Sequence, residues 1–154
     1  MAKISIINPN DAKCYIFSRA RTKRIPLGQS YVAAVLLRAG HEVFVIDASA
    51  DDLSEEEIVN KVVDNKSEFV GIGGTTPLYS QISSLTRKIK TALPTSVIIL
   101  GGPHVSALPI PSLNHLLLQD VRGEVIEITL EVTTKEVATL LQFITFFNIS
   151  TYNR

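Results

Sequence analysis

FVGIGGTTPLYSQISSLTRKIKTALPTSVIILGGPH, running from Phe69 to His104, is the stretch that decides the fold. Phe69–Gly73 is a short apolar run closed by Gly73-Gly74-Thr75-Thr76-Pro77, which reads as a strand ending in a turn. Leu78, Ile82, Leu85 and Ile89 follow at spacings of four, three and four, the pattern of one apolar helix face. Arg87, Lys88 and Lys90 sit near the end of that helix, where the backbone dipole favours cations. Val97–Leu100 is a second apolar run, stopped by Gly101-Gly102-Pro103. Short apolar strands separated by helices of this length argue a parallel sheet with helices on both faces.

The same alternation extends outward. Ile4–Ile7 is a strand ended by Asn8-Pro9-Asn10-Asp11. Leu27–Ala39 is rich in Ala, Leu and Val, with Gly40 where a helix C-cap belongs. Val43–Asp47 is the next strand. Ser54 and Glu57 then stand at the spacing of a capping box, and Ile58, Val59, Val62 and Val63 continue that helix as an apolar face. Right-handed crossovers leave few topologies, of which the order 2-1-3-4-5 is the commonest for five strands. The expected fold is α/β, a Rossmann/flavodoxin-like, doubly wound, mainly parallel five-stranded sheet. Val121-Arg122-Gly123 is placed to close a fifth strand. Beyond it Ile126, Ile128, Leu130 and Val132 alternate with Glu127, Thr129 and Glu131, as in a half-buried strand. Val137–Phe147 has the composition of a last helix, capped by Thr133 or Thr134. Residues 1–124 are thus expected to form the α/β domain, and 125–154 a strand-and-helix extension packed on it.

Composition bounds the function. A chain of 154 residues, 45% hydrophobic and 19% charged, suits one globular domain. Fifteen basic residues balance fifteen acidic ones, which argues against nucleic-acid binding driven by overall charge. No apolar run approaches the roughly 18 residues of a membrane span, and Met1–Ser5 lacks a signal-peptide pattern. A cytoplasmic location with no membrane partner is expected. Cys14 is the single cysteine, so this chain supplies neither an internal disulfide nor the thiolates of an iron–sulfur cluster.

In open α/β sheets a ligand sits outside the carboxyl ends of the strands, where strand order reverses. That point falls here between the first and third strands. Three loops at this edge stand out. Asn8 to about Pro26 is far longer than the two to six residues usual for such a connection, and carries Lys13, Arg19, Arg21, Lys23 and Arg24 against Asp11 alone. Gly73–Pro77 combines two glycines with two hydroxyls at the start of a helix. Gly101-Gly102-Pro103-His104 is the third. Glycines permit close backbone approach, and helix N-termini present N–H groups to an anion or amide-rich ligand. Each feature also has a plainer reading: a solvated basic loop, ordinary turn glycines, and His41 and His104 as structural histidines without partner ligands at metal spacing. The chain contains no G-x-G-x-x-G, no P-loop and no carboxylate at the end of the third strand for a phosphorylated receiver. No nucleophile–base constellation is evident.

Four segments together carry a resemblance. They are Pro26-Leu27-Gly28 with Leu36–Val43 and Ile46-Asp47; Val70–Thr76; Ile98–His104; and Val121-Arg122-Gly123-Glu124. Over residues 3–124 the chain resembles the amino-terminal cobalamin-binding domain of cobalamin-dependent radical S-adenosylmethionine enzymes, a group that includes methyltransferases and anaerobic magnesium-protoporphyrin monomethyl ester cyclases. The resemblance implies a Rossmann-like fold that buries the nucleotide tail of cobalamin among the strand-end loops. It assigns Thr75 and Thr76 to the tail, and Gly101, Gly102 and Pro103 to the loop after the fourth strand. Arg122, Gly123 and Glu124 are assigned to the loop after the fifth. Asn8, Pro9 and Pro26-Leu27-Gly28 would approach the corrin, with Gly74 and His104 completing the cofactor-binding set.

The chain also departs from that family. Where its members read Gly-Glu-Gly-Glu, this chain reads Gly123-Glu124-Val125-Ile126-Glu127, and the family favours a helix where the alternation argues a strand. The Asp-x-His-x-x-Gly element that puts a histidine on cobalt in many cobalamin domains is absent: Asp11 is followed by Lys13, with Ile16 in the glycine's place. The expectation is a corrinoid-binding domain without catalysis of its own, without a protein histidine ligand and without an iron–sulfur cluster. Its implied partner is a radical S-adenosylmethionine protein or domain. The residues alone leave two alternatives: an assembly domain without cofactor, or a binder of another nucleotide or phosphorylated ligand.

Overall fold

The computed structural model describes residues 1–11, 25–118 and 125–127. Five parallel strands form one sheet: β1 (Lys3–Asn8), β2 (Glu42–Asp47), β3 (Phe69–Gly73), β4 (Val97–Gly101) and β5 (Val125–Glu127). Their order is β2-β1-β3-β4-β5. The topology expected from the sequence is therefore present, with strand order reversing between β1 and β3. Helices α1 (Leu27–Arg38), α2 (Glu55–Asp64) and α3 (Tyr79–Ala92) connect the first four strands. A turn of 3-10 helix, Thr76–Leu78, leads into α3.

The alternation of buried residues explains the layers. In β1, Ile4 and Ile6 face α1 and pack on Ala33 and Leu36. Ile7 faces the opposite side and joins the larger core, where Ile58 and Val62 of α2 meet Ile82, Leu85 and Ile89 of α3 over Val70, Ile72, Ile98 and Leu100. A strand buried on both faces is what a central parallel position demands. Ser5 is fully buried as well, its hydroxyl paired with Ser67 at 2.6 Å and receiving a bond from the Asn65 amide at 3.3 Å.

Helix termini follow their local chemistry. Ser54 and Glu57 form the expected capping box, and the Ser54 backbone N–H, then its hydroxyl, hold the Glu57 carboxyl below its ordinary pKa. Gly40, at φ +85°, reverses the chain after α1. The N–H groups of Gly40 and His41 return to the carbonyls of Leu37 and Leu36 at 3.0 and 3.2 Å, a Schellman closure. Lys88 of α3 reaches Glu55 and Glu56 of α2 at 2.7 and 2.6 Å.

Two expectations change. The segment after Gly102 is not a simple loop: Pro103–Ala107 is a short helix, α4, and Pro109–Leu118 a further helix, α5. Proline at the first position of each has a φ already suited to a helix and no N–H that an internal bond requires. The fifth strand begins at Val125 rather than closing at Val121–Gly123, and Val125 pairs with Ile98. The alternation around Ile126 was therefore the correct reading over 125–127, against the helix the resemblance favoured. The expected helix over 137–147, the rest of the alternating segment and the basic residues of the first loop lie outside the described residues.

Ile82 is fully buried at the centre of the larger core. Ile82→Ala should lower unfolding free energy by about 2–5 kcal/mol, read from urea denaturation. A loss below about 1 kcal/mol, the scale of a conservative trim, would contradict this packing.

Candidate functional site

The carboxyl ends of β1, β3 and β4 bring together most of the residues singled out in the sequence. Asn8 closes β1 and is half-buried, with Pro9 buried behind it. The Asn8 amide donates to Asp47 at the end of β2, at 2.8 Å, and its oxygen accepts from the Gln29 amide at 3.4 Å. Gln29 lies in the first turn of α1 beside Gly28, and a Cβ on Gly73 would stand 3.9 Å from its Nε2. Sequence reasoning missed Gln29. The available signal was an amide among the small and apolar residues that open α1.

The glycines at this edge divide into two kinds. Gly102 has φ +92°, and a Cβ there would meet the N and O of Gly74 at 2.7 and 2.8 Å. Its bareness makes room for the neighbouring loop, not for a ligand. Gly74 is confined by side chains instead of backbone, since a Cβ would fall 2.9 Å from Ile82 Cδ1 and 3.3 Å from Leu78 Cβ. Gly28 and Gly101 differ: a Cβ on either meets no described atom within 4 Å. Gly101 pairs in register with Gly73, so the ends of β3 and β4 present bare backbone beside the start of α1.

Helix termini polarise this edge unequally. Helices α1, α2 and α3 all begin at the carboxyl ends of strands, where orphan N–H groups give a positive end. In α2 that end is already matched by Glu55, Glu56 and Glu57. Neither the first turn of α1 nor the 3-10 turn before α3 carries an acidic residue, and neither has a side-chain cap. An anionic group is therefore favoured over β1 and β3 rather than over β2. Two shallow concavities lie elsewhere: one of 440 Å³ at the amino edge by Lys66, Ser67 and Phe69, one of 280 Å³ along β2 by Phe44 and Ile46. Neither lies at the switch point, where ligands of such sheets bind.

The remaining expected residues fall as follows. Thr75 is half-buried and Thr76 exposed on the loop after β3, while Pro26 forms the N-cap of α1 and Leu27 is exposed. Pro103 is exposed at the start of α4. His104 is only 8% exposed, hydrogen-bonded through Nδ1 to Thr76 Oγ1 at 3.1 Å and stacked on Tyr79 at 4.2 Å between ring centroids. Its ring therefore lies between Tyr79 of α3 and the Thr76 hydroxyl. Arg122, Gly123 and Glu124 lie outside the described residues, but the start of β5 at Val125 puts them before the strand. Their assignment to the loop after the fifth strand is corrected accordingly. Among the described residues no group of three or more His, Cys, Asp or Glu side chains is placed to hold a metal ion. No helix there is long and apolar enough to cross a membrane.

Comparison with known proteins fits this geometry. The profile of the B12 binding domain matches residues 15–132. The chain belongs to the B12-binding domain family. Among curated proteins, an anaerobic magnesium-protoporphyrin IX monomethyl ester cyclase of Synechocystis is 33% identical over 103 residues, covering 65% of this chain and 20% of the cyclase. An uncharacterized methyltransferase of Pyrococcus horikoshii is 31% identical over 101 residues, covering 64% of this chain and 22% of the relative. The chain thus spans about a fifth of the length of either relative. The cobalamin-dependent S-adenosylmethionine radical enzyme OxsB, solved with aqua-cobalamin and S-adenosylmethionine, matches 92% of this chain and 19% of its own with a TM-score of 0.70 at 13% identity. A cobalamin-binding protein from Desulfitobacterium hafniense matches 92% of this chain and 58% of its own with a TM-score of 0.58 at 16% identity. At these identities the structural likeness is one of fold. The B12-binding domain described here accordingly shares its fold with part of a cobalamin-dependent S-adenosylmethionine radical enzyme and with a cobalamin-binding protein.

The two kinds of glycine separate by substitution. Gly102→Ala should destabilise the domain by about 1–3 kcal/mol, from left-handed backbone strain and overpacking against Gly74. Gly101→Ala should change stability by no more than about 0.5 kcal/mol, as for a surface site. Thermal unfolding of both variants checks this; equal losses would contradict the distinction.

Proposed function

We propose that this domain binds a corrinoid, with the nucleotide tail entering between the loops after β3 and β4. The observation that carries the reading is the bare backbone of Gly101, where a Cβ would meet no described atom within 4 Å, with Gly73 paired beside it, next to two helix starts that lack acidic residues. A phosphodiester tail with amide-rich surroundings suits both features: N–H groups at helix starts receive the phosphate, and hydroxyls and amides meet the rest. Gly74, Thr75, Thr76, Gly101, Gly102 and Pro103 line the tail, the two confined glycines by holding the loops together. Asn8, Pro26, Leu27 and Gly28 face the corrin side, with the buried Pro9 backing Asn8. Bound cobalamin would bring an alkyl-carrying cobalt; the chain's own residues bind and orient it.

The chain acts in this reading as the cofactor-binding part of a cobalamin-dependent radical S-adenosylmethionine methyltransferase or cyclase system. A radical S-adenosylmethionine domain or protein is its partner and supplies the cysteines of the cluster. Hydroxocobalamin titrated into the purified chain should bind, and Gly101→Leu should weaken binding about tenfold by filling the approach without unfolding the domain. Absence of binding heat with any corrinoid, or a Gly101→Leu variant that binds like the parent, would overturn the reading.

With the nucleotide tail held between the loops, the cobalt of a bound corrinoid would find no imidazole of this chain as a ligand. His104 is committed to Thr76 and Tyr79. A protonated Lys13 has no lone pair to offer a metal. The cobalt(II) form should therefore show electron paramagnetic resonance lines without nitrogen superhyperfine splitting, unchanged in His104→Ala. Splitting that disappears in that variant would assign His104 as the ligand and refute the proposal.

A further inference from the structure

We infer that His104 is a positioning residue, which fixes the exposed Thr76 hydroxyl at the mouth of the site from beneath. The inference rests on the corrinoid reading for its consequence, and on the geometry of the loops for its substance. His104 is held on three sides. Its backbone N–H approaches the Gly74 carbonyl at 3.5 Å, its ring stacks on Tyr79, and its Nδ1 meets Thr76 Oγ1 at 3.1 Å. Tyr79 is itself anchored, its hydroxyl donating to the Ser112 carbonyl of α5 at 2.8 Å. The imidazole therefore has little freedom to move, while the side chain bonded to it is exposed.

That arrangement has a chemical consequence. A threonine hydroxyl offers one donor and two acceptor positions, and an exposed threonine without a partner samples more than one χ1 rotamer. A bond to a fixed imidazole selects one rotamer. Whichever imidazole tautomer is present, one bonding position of the hydroxyl is taken by the ring and two remain for a ligand. The oxygen then stands ready at the start of the 3-10 turn. His104 does this without touching the ligand, so its effect passes through Thr76 alone.

Two readouts test this, on the parent and on His104→Phe, His104→Asn, Thr76→Val and the double variant H104F/T76V. Phenylalanine keeps a ring on Tyr79 but removes the nitrogen; asparagine restores a hydrogen-bonding group near the Nδ1 position. In the ligand-free protein, nuclear magnetic resonance couplings of Thr76 should show one χ1 rotamer in the parent and in His104→Asn. His104→Phe should show averaging. In hydroxocobalamin titrations, His104→Phe and Thr76→Val should each raise Kd about fivefold, the scale of one lost hydrogen bond. The double variant should be no worse than the poorer single one, and His104→Asn should lie within about twofold of the parent, as expected for a restored bond.

A single fixed Thr76 rotamer in His104→Phe would overturn the inference, as would losses that multiply in the double variant. If His104→Phe does not fold, the parent, His104→Asn and Thr76→Val decide it, because a rotameric average for Thr76 in the parent already contradicts it. If the parent binds no corrinoid, the reading of the site fails while the rotamer measurement still decides whether His104 positions Thr76.

Discussion

The contact on which the site depends is made without side chains. Gly102 lies so close to Gly74 that a Cβ would come within 2.7 Å of its backbone. The Gly74 N–H reaches back to the Gly101 carbonyl at 3.4 Å. Two loops that leave neighbouring strands are thereby drawn together into one rim. Backbone this close is reachable only where Gly102 lacks a side chain, and its positive φ adds a second reason for glycine there. Below the rim Ile82 fills the space under Gly74, so the larger core supports the loops directly. Beside it His104 and Tyr79 lock α4 against α3.

Electrostatics then sets which part of the rim is useful. Helices α1, α2 and α3 begin along one edge of the sheet, yet their starts are not equivalent. The acidic first turn of α2 uses its own positive end, stabilising the helix while withdrawing it from ligand binding. The starts of α1 and of the turn before α3 keep theirs available. This asymmetry coincides with the reversal of strand order between β1 and β3, where adjacent connections leave to opposite faces and open a crevice.

Much of this was legible in the residues because the signals were local. Apolar runs bounded by glycine pairs marked β3 and β4, and the Ser54–Glu57 spacing marked the start of α2. The strand order followed from the handedness of crossovers rather than from any one residue. The helices after Gly102 went unread: Pro103 reads in the sequence only as a stop to the fourth strand, yet Pro103, Pro109 and Pro111 stand in first helical turns, where proline is equally a starter. The fifth strand was misplaced because Val121 and the segment from Val125 both suit a strand, and only pairing with β4 decides between them. Glycine roles were legible in kind but not in detail. Nothing in the sequence separates Gly102, which accommodates a neighbouring backbone, from Gly101, where a Cβ would meet no described atom within 4 Å. The direction of the His104 ring likewise depends on Tyr79, a contact set by packing between helices.

A corrinoid bound at the carboxyl edge of the sheet would leave the opposite edge untouched. Amide resonances of the isotope-labelled chain, followed while diamagnetic hydroxocobalamin is added, test that placement residue by residue. The expected result is saturable shifts at Asn8, Gln29, Gly73, Gly74, Thr75, Thr76, Gly101 and Gly102, with Ser67, Glu68 and Val97 at the amino edge unchanged. Shifts centred on Ser67, Glu68 and Val97, or none at any residue under saturating corrinoid, would contradict it.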